Sequence, residues 1–204
     1  MVGICGASGA ILALKFLSTV LKLDSIIPYV VISKGAKRVL KIENGIDIDA
    51  VLKLDLTSTS SRLVETYLQN LIANKAKLNI FEDYNLDAPI ASGSFLVDGM
   101  IILPCSMNTL AKIACGISDS LITRSFLVNL KERRNIVVAP REMPLNSIIL
   151  SNMKKLSDAG VTISPPMFGY YANIKTLEDM ENFLLGKYLD SFGIYNQLYK
   201  RWGS

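Results

Sequence analysis

Apolar residues along the chain fall into short continuous runs that alternate with longer stretches of helical spacing. Val2 to Cys5 is apolar and closes on Gly6-Ala7-Ser8-Gly9, after which Ile11, Leu14, Leu17, Val20 and Leu21 recur at helical intervals from Ala10 to about Leu23. Ile26 to Ile32 is a second, largely β-branched run, and Ser33-Lys34-Gly35 leads from it into a helix through Val39 and Leu40. Strand, turn and helix then recur. Met100 to Leu103 is a strand ending at Pro104-Cys105-Ser106, Thr109 to Ala114 and Ser120 to Leu130 are helices parted by Gly116, and Ile136 to Ala139 is another strand. Ser147 to Leu156 reads as a helix closed by Asp158-Ala159-Gly160, Val161 to Ser164 as a strand stopped by Pro165-Pro166, and Leu177 to about Leu189 as the last helix. Between Gly45 and Asp83 the pattern is weaker: a Ser/Thr cluster at Thr57 to Ser61, a helix over Leu63 to Ile72, and a short strand at Leu78 to Phe81.

Short buried strands alternating with helices predict an α/β fold, a Rossmann-like (flavodoxin-like) doubly wound parallel sheet in three α/β/α layers, with ligands at the carboxyl ends of the strands. Neither a repeat nor a linker interrupts it, so residues 1–204 are expected to form a single domain. Its tail, from about residue 190 to 204, is expected to pack at a subunit interface.

Composition sharpens this picture. With 50% hydrophobic and 20% charged residues the chain is neither disordered nor fibrous, and a mean hydropathy of +0.33 is high for a monomer, which predicts a large subunit interface. A net charge of +4, without a basic stripe, argues against nucleic acid as a partner but leaves small anions open. The chain contains no histidine, which removes Ser-His and Cys-His hydrolysis and the commonest zinc ligand. Cys5, Cys105 and Cys115 lack CxxC spacing and fit a reducing, cytoplasmic setting. No apolar run is expected to span a membrane, because the nearest, Ala88 to Met107, contains Asp98 and two prolines, and the start lacks the basic flank of a signal peptide.

Three strand ends carry the unusual residues: Gly6-Ala7-Ser8-Gly9, Pro104-Cys105-Ser106-Met107-Asn108-Thr109 and Pro140-Arg141-Glu142. In a doubly wound sheet they converge on one crevice. The glycine turn suits an anion or a planar ring, although a tight strand-to-helix turn alone would also account for it. Its spacing is Gly3, Gly6, Gly9, and the second strand ends in Ser33-Lys34 instead of an acid, so a mononucleotide such as FMN fits better than NAD. Ser106, Asn108 and Thr109 suit either helix capping or ligand binding. Cys105 reads as a packing residue, with no histidine to activate it. Arg124 and Lys131 are two helical turns apart, with Arg134 near, and could hold a phosphate or simply face solvent.

Taken together the motifs resemble the flavin prenyltransferase family. The matching segments run nearly the length of the chain in order: Gly6-Ala7-Ser8-Gly9, Ile32-Ser33-Lys34, Ala91-Ser92-Gly93-Ser94, Pro104-Cys105-Ser106, Leu130-Lys131-Glu132-Arg133, Arg141-Glu142 with Pro144-Leu145, Asn152-Met153 and Arg201-Trp202-Gly203. The resemblance implies an enzyme that joins a dimethylallyl group from dimethylallyl phosphate to N5 and C6 of reduced FMN, making the prenylated FMN used by UbiD-type decarboxylases. It further implies that Gly6, Ala7, Ser8, Ser33, Ser106, Met107, Asn108, Thr109 and Arg141 hold FMN. Arg124, Lys131, Arg141, Glu142, Tyr171 and Lys187, with Ser92 and Gly93, would surround the prenyl phosphate, partly across a subunit boundary. Catalytic roles are implied for Ser8, Glu43, Glu142 and Trp202, and the assembly implied is a dodecamer.

Elementary chemistry agrees with that scheme. Departure of phosphate from an allylic carbon needs cations on the phosphate and electron-rich surroundings for the developing carbocation, which Arg, Lys and Trp202 supply without a metal. Glu142 and the bound phosphate can exchange a proton in a chain without histidine. Lys187 stands where the family often has Arg, keeping the charge and losing the bidentate fork. Two alternatives are a flavin-dependent cysteine decarboxylase, which the missing histidine opposes, and a non-catalytic FMN-binding protein.

Overall fold

The computed structural model describes residues 1–54 and 65–203. Its strands are β1 (Val2–Ile4), β2 (Tyr29–Ile32), β3 (Asn79–Glu82), β4 (Gly99–Cys105), β5 (Asn135–Pro140) and β6 (Thr162–Ile163). The helices are α1 (Ile11–Val20), α2 (Lys34–Asn44), α3 (Ile48–Lys53), α4 (Thr66–Ala73), α5 (Met107–Ala114), α6 (Leu121–Lys131), α7 (Ser147–Asp158) and α8 (Leu177–Ser191). All strand pairs are parallel, in the order β3-β2-β1-β4-β5-β6. The doubly wound α/β fold expected from the sequence is therefore the fold observed. The order reverses between β1 and β4, which opens a crevice beyond their carboxyl ends.

The central strands are apolar on both faces because both faces are covered. β4 buries all 7 of its residues. Alternation along the strands sends Val2, Ile4, Val30, Ile32, Ile101, Leu103 and Val137 to one side, against Leu14 and Leu17 of α1 and Leu184, Leu185 and Leu189 of α8. It sends Cys5, Val31, Met100, Ile102, Ile136 and Val138 to the other, joined by Cys105 past a register irregularity in β4, against Leu110 of α5, Ile122 and Phe126 of α6 and Leu156 of α7. Each such fully buried aliphatic or aromatic side chain favours the folded state by roughly 1.5–3 kcal/mol.

Helix starts follow side-chain chemistry. Ser33 accepts from the Ala36 amide at the head of α2, Ser106 from Thr109 at α5, Asn146 from Ile149 at α7, and Ser120 and Thr176 form capping boxes on α6 and α8. α1 begins at Ala10 with no side-chain cap, and α4 likewise has none at Glu65.

Several boundaries differ from the sequence reading. The second strand begins at Tyr29, not Ile26, since Pro28 lacks the amide that a ladder needs and residues 21–28 turn between α1 and β2. α3, capped by Asp47, lies in the stretch where the apolar pattern is weak. The Thr57 to Ser61 cluster and the first two residues of the helix expected from Leu63 lie outside the described residues; α4 starts at Thr66. The sheet edges are modest. β6 has 2 residues and is followed by Pro165-Pro166, and β3 exposes Ile80 and Glu82, with Glu82 tied to Lys37 at 2.7 Å. Among the described residues no helix is long and apolar enough to cross a membrane.

Candidate active site

The crevice floor is built from backbone. Gly6, just beyond β1, packs against Gly35 in the first turn of α2 so closely that a Cβ on Gly6 would lie 2.9 Å from both Cα and the carbonyl carbon of Gly35. Only glycine lets the two turns touch there. Ser33 is tied in by its amide, which donates to the Ile4 carbonyl at 3.0 Å, while its hydroxyl caps α2. Gly9 has φ +84°, with open space where a side chain would project, and its amide donates to Glu43 Oε2 at 3.0 Å. Glu43 thus fastens the glycine turn from α2, and Ser8 sits inside that fastened turn.

The neighbouring strand ends complete this side. Ser106 caps α5, with its hydroxyl 3.0 Å from Thr109 Oγ1, so Ser106, Met107, Asn108 and Thr109 form the first turn of a helix starting at the crevice. The Arg141 amide donates to the Cys105 carbonyl at 3.1 Å, which places Arg141 and Glu142 beside that turn, both exposed. Glu142 folds back so that Oε1 accepts the Met143 amide at 3.1 Å. The structure therefore gathers Gly6, Ala7, Ser8, Ser33, Glu43, Ser106, Met107, Asn108, Thr109, Arg141 and Glu142 along one edge of the sheet. The residues fit a flavin mononucleotide in kind: a side-chain-free floor for a ring, hydroxyls and an uncapped α1 for a phosphate, and an arginine for its charge.

A second group lies along α6. Asp83, after β3, receives the Leu121 and Ile122 amides at its carbonyl and carboxylate, fixing the start of that helix. Arg124 Nε donates to the Ala91 carbonyl at 3.0 Å, Arg134 donates to the Gly93 carbonyl at 2.8 Å, and Ser125 reaches the Ile90 carbonyl at 3.1 Å. Lys131 is ion-paired with Glu132, and a Cβ on Gly93 would collide with both. Arg124 and Lys131 therefore both face the 91–93 segment, Arg124 at Ala91 and Lys131 at Gly93. The roles of Glu132 and Arg134 at Gly93 carry no sequence signal. The Lys131 hydrogen bond holds the Glu132 carboxyl below its usual range.

A third group stands on the 170–172 turn, α8 and the tail. Tyr171 and Trp202 meet edge-on at 5.7 Å, Tyr171 also meets Phe183 at 5.8 Å, and Trp202 is 84% exposed. Lys187 is an exposed residue of α8. The tail is clipped to the end of α8 by Asp190, whose two oxygens take Arg201 at 2.7 and 3.0 Å and also accept from Tyr199 at 2.6 Å and Asn196 at 2.9 Å. Arg201 first, then burial acting in opposition and donation from Tyr199 and Asn196, holds the Asp190 carboxyl below its usual range. A depressed carboxyl contributes its stabilisation above the unfolded value, near pH 4, and loses it as pH falls through the lower folded value. The chain has 1 tryptophan, so Trp202 reports on the clip directly. Its fluorescence anisotropy is expected to stay constant from neutral pH to about pH 4 and to fall below that, whereas in Asp190→Ala it is low throughout. Equal anisotropy in the two proteins at pH 7 contradicts this role for Asp190.

A doubly wound sheet with a glycine floor at its switch point and hydroxyls at three strand ends is the architecture of a mononucleotide-binding flavoprotein, and the family model described as Flavoprotein matches residues 1–189. The flavin prenyltransferase UbiX of Thermoplasma acidophilum is 43% identical over 202 residues, covering 99% of this chain and 98% of that one. A dodecameric FMN-dependent UbiX-like decarboxylase from Escherichia coli O157:H7 superposes with a TM-score of 0.84 at 34% identity, covering 100% of this chain and 98% of that chain. A UbiX crystallised with FMN and dimethylallyl pyrophosphate gives 0.84 at 33% identity, covering 100% and 96%. The chain belongs to the UbiX flavin prenyltransferase family.

Proposed function

We propose that this protein transfers a dimethylallyl group from dimethylallyl phosphate to N5 and C6 of reduced FMN, releasing phosphate and prenylated FMN for a UbiD-type decarboxylase. The observation that carries the reading is the glycine floor at Gly6 and Gly35 beside the Ser106 and Arg141 strand ends, in a chain alike over its whole length to flavin prenyltransferases. Reduced FMN supplies the nucleophilic ring atoms.

The chain's own residues do the rest. Gly6, Ala7, Ser8, Ser33, Ser106, Met107, Asn108, Thr109 and Arg141 seat the flavin, with Glu43 keeping the Ser8 turn in place through the Gly9 amide. Arg124, Lys131, Arg141 and Lys187, with Tyr171, Ser92 and Gly93, hold the prenyl phosphate. Their positive charge stabilises the leaving group as its bond to carbon breaks. Trp202 offers a π face to positive charge developing on the allyl carbon. Glu142, beside Arg141, moves a proton to or from the released phosphate.

Tyr171, in the 170–172 turn before α8, Lys187 on α8 and Trp202 in the tail form one group, and we assign them to the active site of a neighbouring protomer. Large apolar side chains left in solvent support this assembly: Met143 is 87% exposed and Ile148 71%. We propose a homo-oligomer, a dodecamer by likeness to the E. coli structure, formed from single-domain protomers with the tail at an interface. The three free thiols fit the cytoplasm.

Anaerobic incubation with reduced FMN and dimethylallyl phosphate, followed by mass spectrometry of the extracted flavin, is expected to show one added dimethylallyl unit. Unchanged flavin refutes the proposal, and light scattering on the active sample refutes the shared site if it shows a monomer.

A further inference from the structure

Cys5 and Cys105 are not separate packing residues. They end the two strands that border the switch point, β1 and β4, which pair in register at Val2 with Ile101 and Gly3 with Ile102. The Cys5 amide donates to the Pro104 carbonyl at 3.2 Å, continuing the ladder. Both side chains enter the same core cluster, so they leave the sheet on one face, and they are 1% and 0% exposed. The two thiols adjoin there, with the Cys105 S–H donating to the Ser106 carbonyl at 3.5 Å. Neighbouring strands lie about 4.8 Å apart, inside the Cα separation of about 4.4–6.8 Å that a disulfide spans.

The surroundings differentiate the two sulfurs. Cys5 Sγ also receives the Ser106 amide and the Thr109 hydroxyl, at the N-terminus of α5, where a negative charge is favoured. The adjacent Cys105 thiol first, and then these donors, lower the Cys5 thiol against the opposing effect of burial, while burial and the adjacent Cys5 raise Cys105 well above the ordinary thiol. The sulfur at the helix N-terminus, Cys5, is therefore the attacking one and Cys105 the resolving one. Cys115 is exposed and apart from them.

We propose that Cys5 and Cys105 form a redox-active dithiol that a hydroperoxide oxidises to an intramolecular disulfide, and that this disulfide disables the flavin cradle above it. The Cys5 thiolate attacks one peroxide oxygen, the O–O bond breaks, and water or an alcohol leaves with Cys5 as the sulfenic acid. The Cys105 sulfur then attacks Cys5, the S–O bond breaks, and the departing hydroxide takes the Cys105 proton to become water. In sum, two thiols and one hydroperoxide give one disulfide, one alcohol or water, and one water; the sulfurs lose the two electrons that the peroxide bond gains. Closing the bond to about 2.05 Å draws the β1 and β4 ends together. Ser106 and Thr109 lose the sulfur acceptor they share, and Gly6 and Ser106, each one residue from a bridged cysteine, are displaced. Misplacement by an ångström suffices to weaken a built site substantially.

The second half rests on the flavin reading; the first does not. Trypsin separates the three cysteines into peptides 1–15, 78–112 and 113–124. Purified protein treated with hydrogen peroxide, denatured and alkylated is expected to yield peptide 1–15 linked to 78–112, with peptide 113–124 alkylated. The link should vanish with dithiothreitol, and in Cys5→Ser Cys105 should remain alkylatable after the same treatment. Free Cys5 and Cys105 after oxidation, or Cys5 driven to the sulfinic acid unlinked, overturns the proposal. FMN affinity of the oxidised protein is expected to fall by about tenfold or more and to return on reduction. Linked peptides with unchanged affinity overturn the switch, whereas a reduced protein that never binds FMN refutes the flavin reading and leaves the disulfide result standing.

Discussion

Glu142→Gln is expected to slow prenylated-flavin formation by about a hundredfold or more at saturating substrates while FMN affinity and melting temperature stay near those of the parent. The substitution isolates the proton. Glu142 Oε1 accepts the Met143 amide at 3.1 Å, and the glutamine amide oxygen can accept the same bond, so the loop after β5 keeps its shape. What glutamine cannot do is take a proton from phosphate or return one. Single-turnover formation of the alkylated flavin, monitored by mass spectrometry, checks this. A loss of turnover matched by weaker FMN binding or a lower melting temperature would mean that Glu142 serves the loop instead, and an unaltered rate ends the assignment. With no histidine in the chain, no other side chain at this strand end can take over the role.

Gly6→Ala is expected to be nearly as damaging by a different route. Its Cβ would stand 2.9 Å from two backbone atoms of Gly35, and backbone in the first turn of a helix cannot swing aside as a side chain can. Relief requires the glycine turn to lift from α2, at a cost of roughly 1–3 kcal/mol for overpacking. The lifted turn carries Ser8 and breaks the spacing between Gly9 and Glu43, so FMN affinity should fall by about a hundredfold. Gly35→Ala provides the internal comparison. Its Cβ meets Gly6 Cα at 3.2 Å, which a few tenths of an ångström relieves, so its effect should be smaller in both melting temperature and FMN calorimetry. If Gly6→Ala binds FMN as the parent does, the floor is not where the flavin lies.

The parts of this architecture visible in the sequence are those written in neighbouring residues. The apolar runs of β1, β4 and β5 and the polar turns after them mark the strand ends, and a serine before an apolar helix, as at Ser33, Ser106 and Ser120, marks each cap. Arg124 and Lys131 fall on one face because helical spacing puts them there. Features that sequence reading does not reach depend on contacts between distant segments. Arg134 reaches a carbonyl 41 residues away at Gly93, Gly6 meets Gly35 across two loops, and Asp83 caps a helix that begins 38 residues later. None of these has a local signature. The Asp190 clip is hidden for another reason: periodicity ends a helix at its last apolar residue, Leu189, and carries no information about the polar group that anchors the tail beyond it.

The two margins of the sheet also bear on how copies of this protein meet. An open strand margin is a template on which another chain can hydrogen-bond, and repeated templating produces fibres. Here one margin is two residues long and runs at once into Pro165-Pro166, which have no N–H to donate, while the other carries Glu82 in an ion pair with Lys37. Neither offers a long run of free, uncharged backbone. In the assembly proposed above, contacts between copies are therefore left to side chains on loops and helices, where shape fixes the angle of approach.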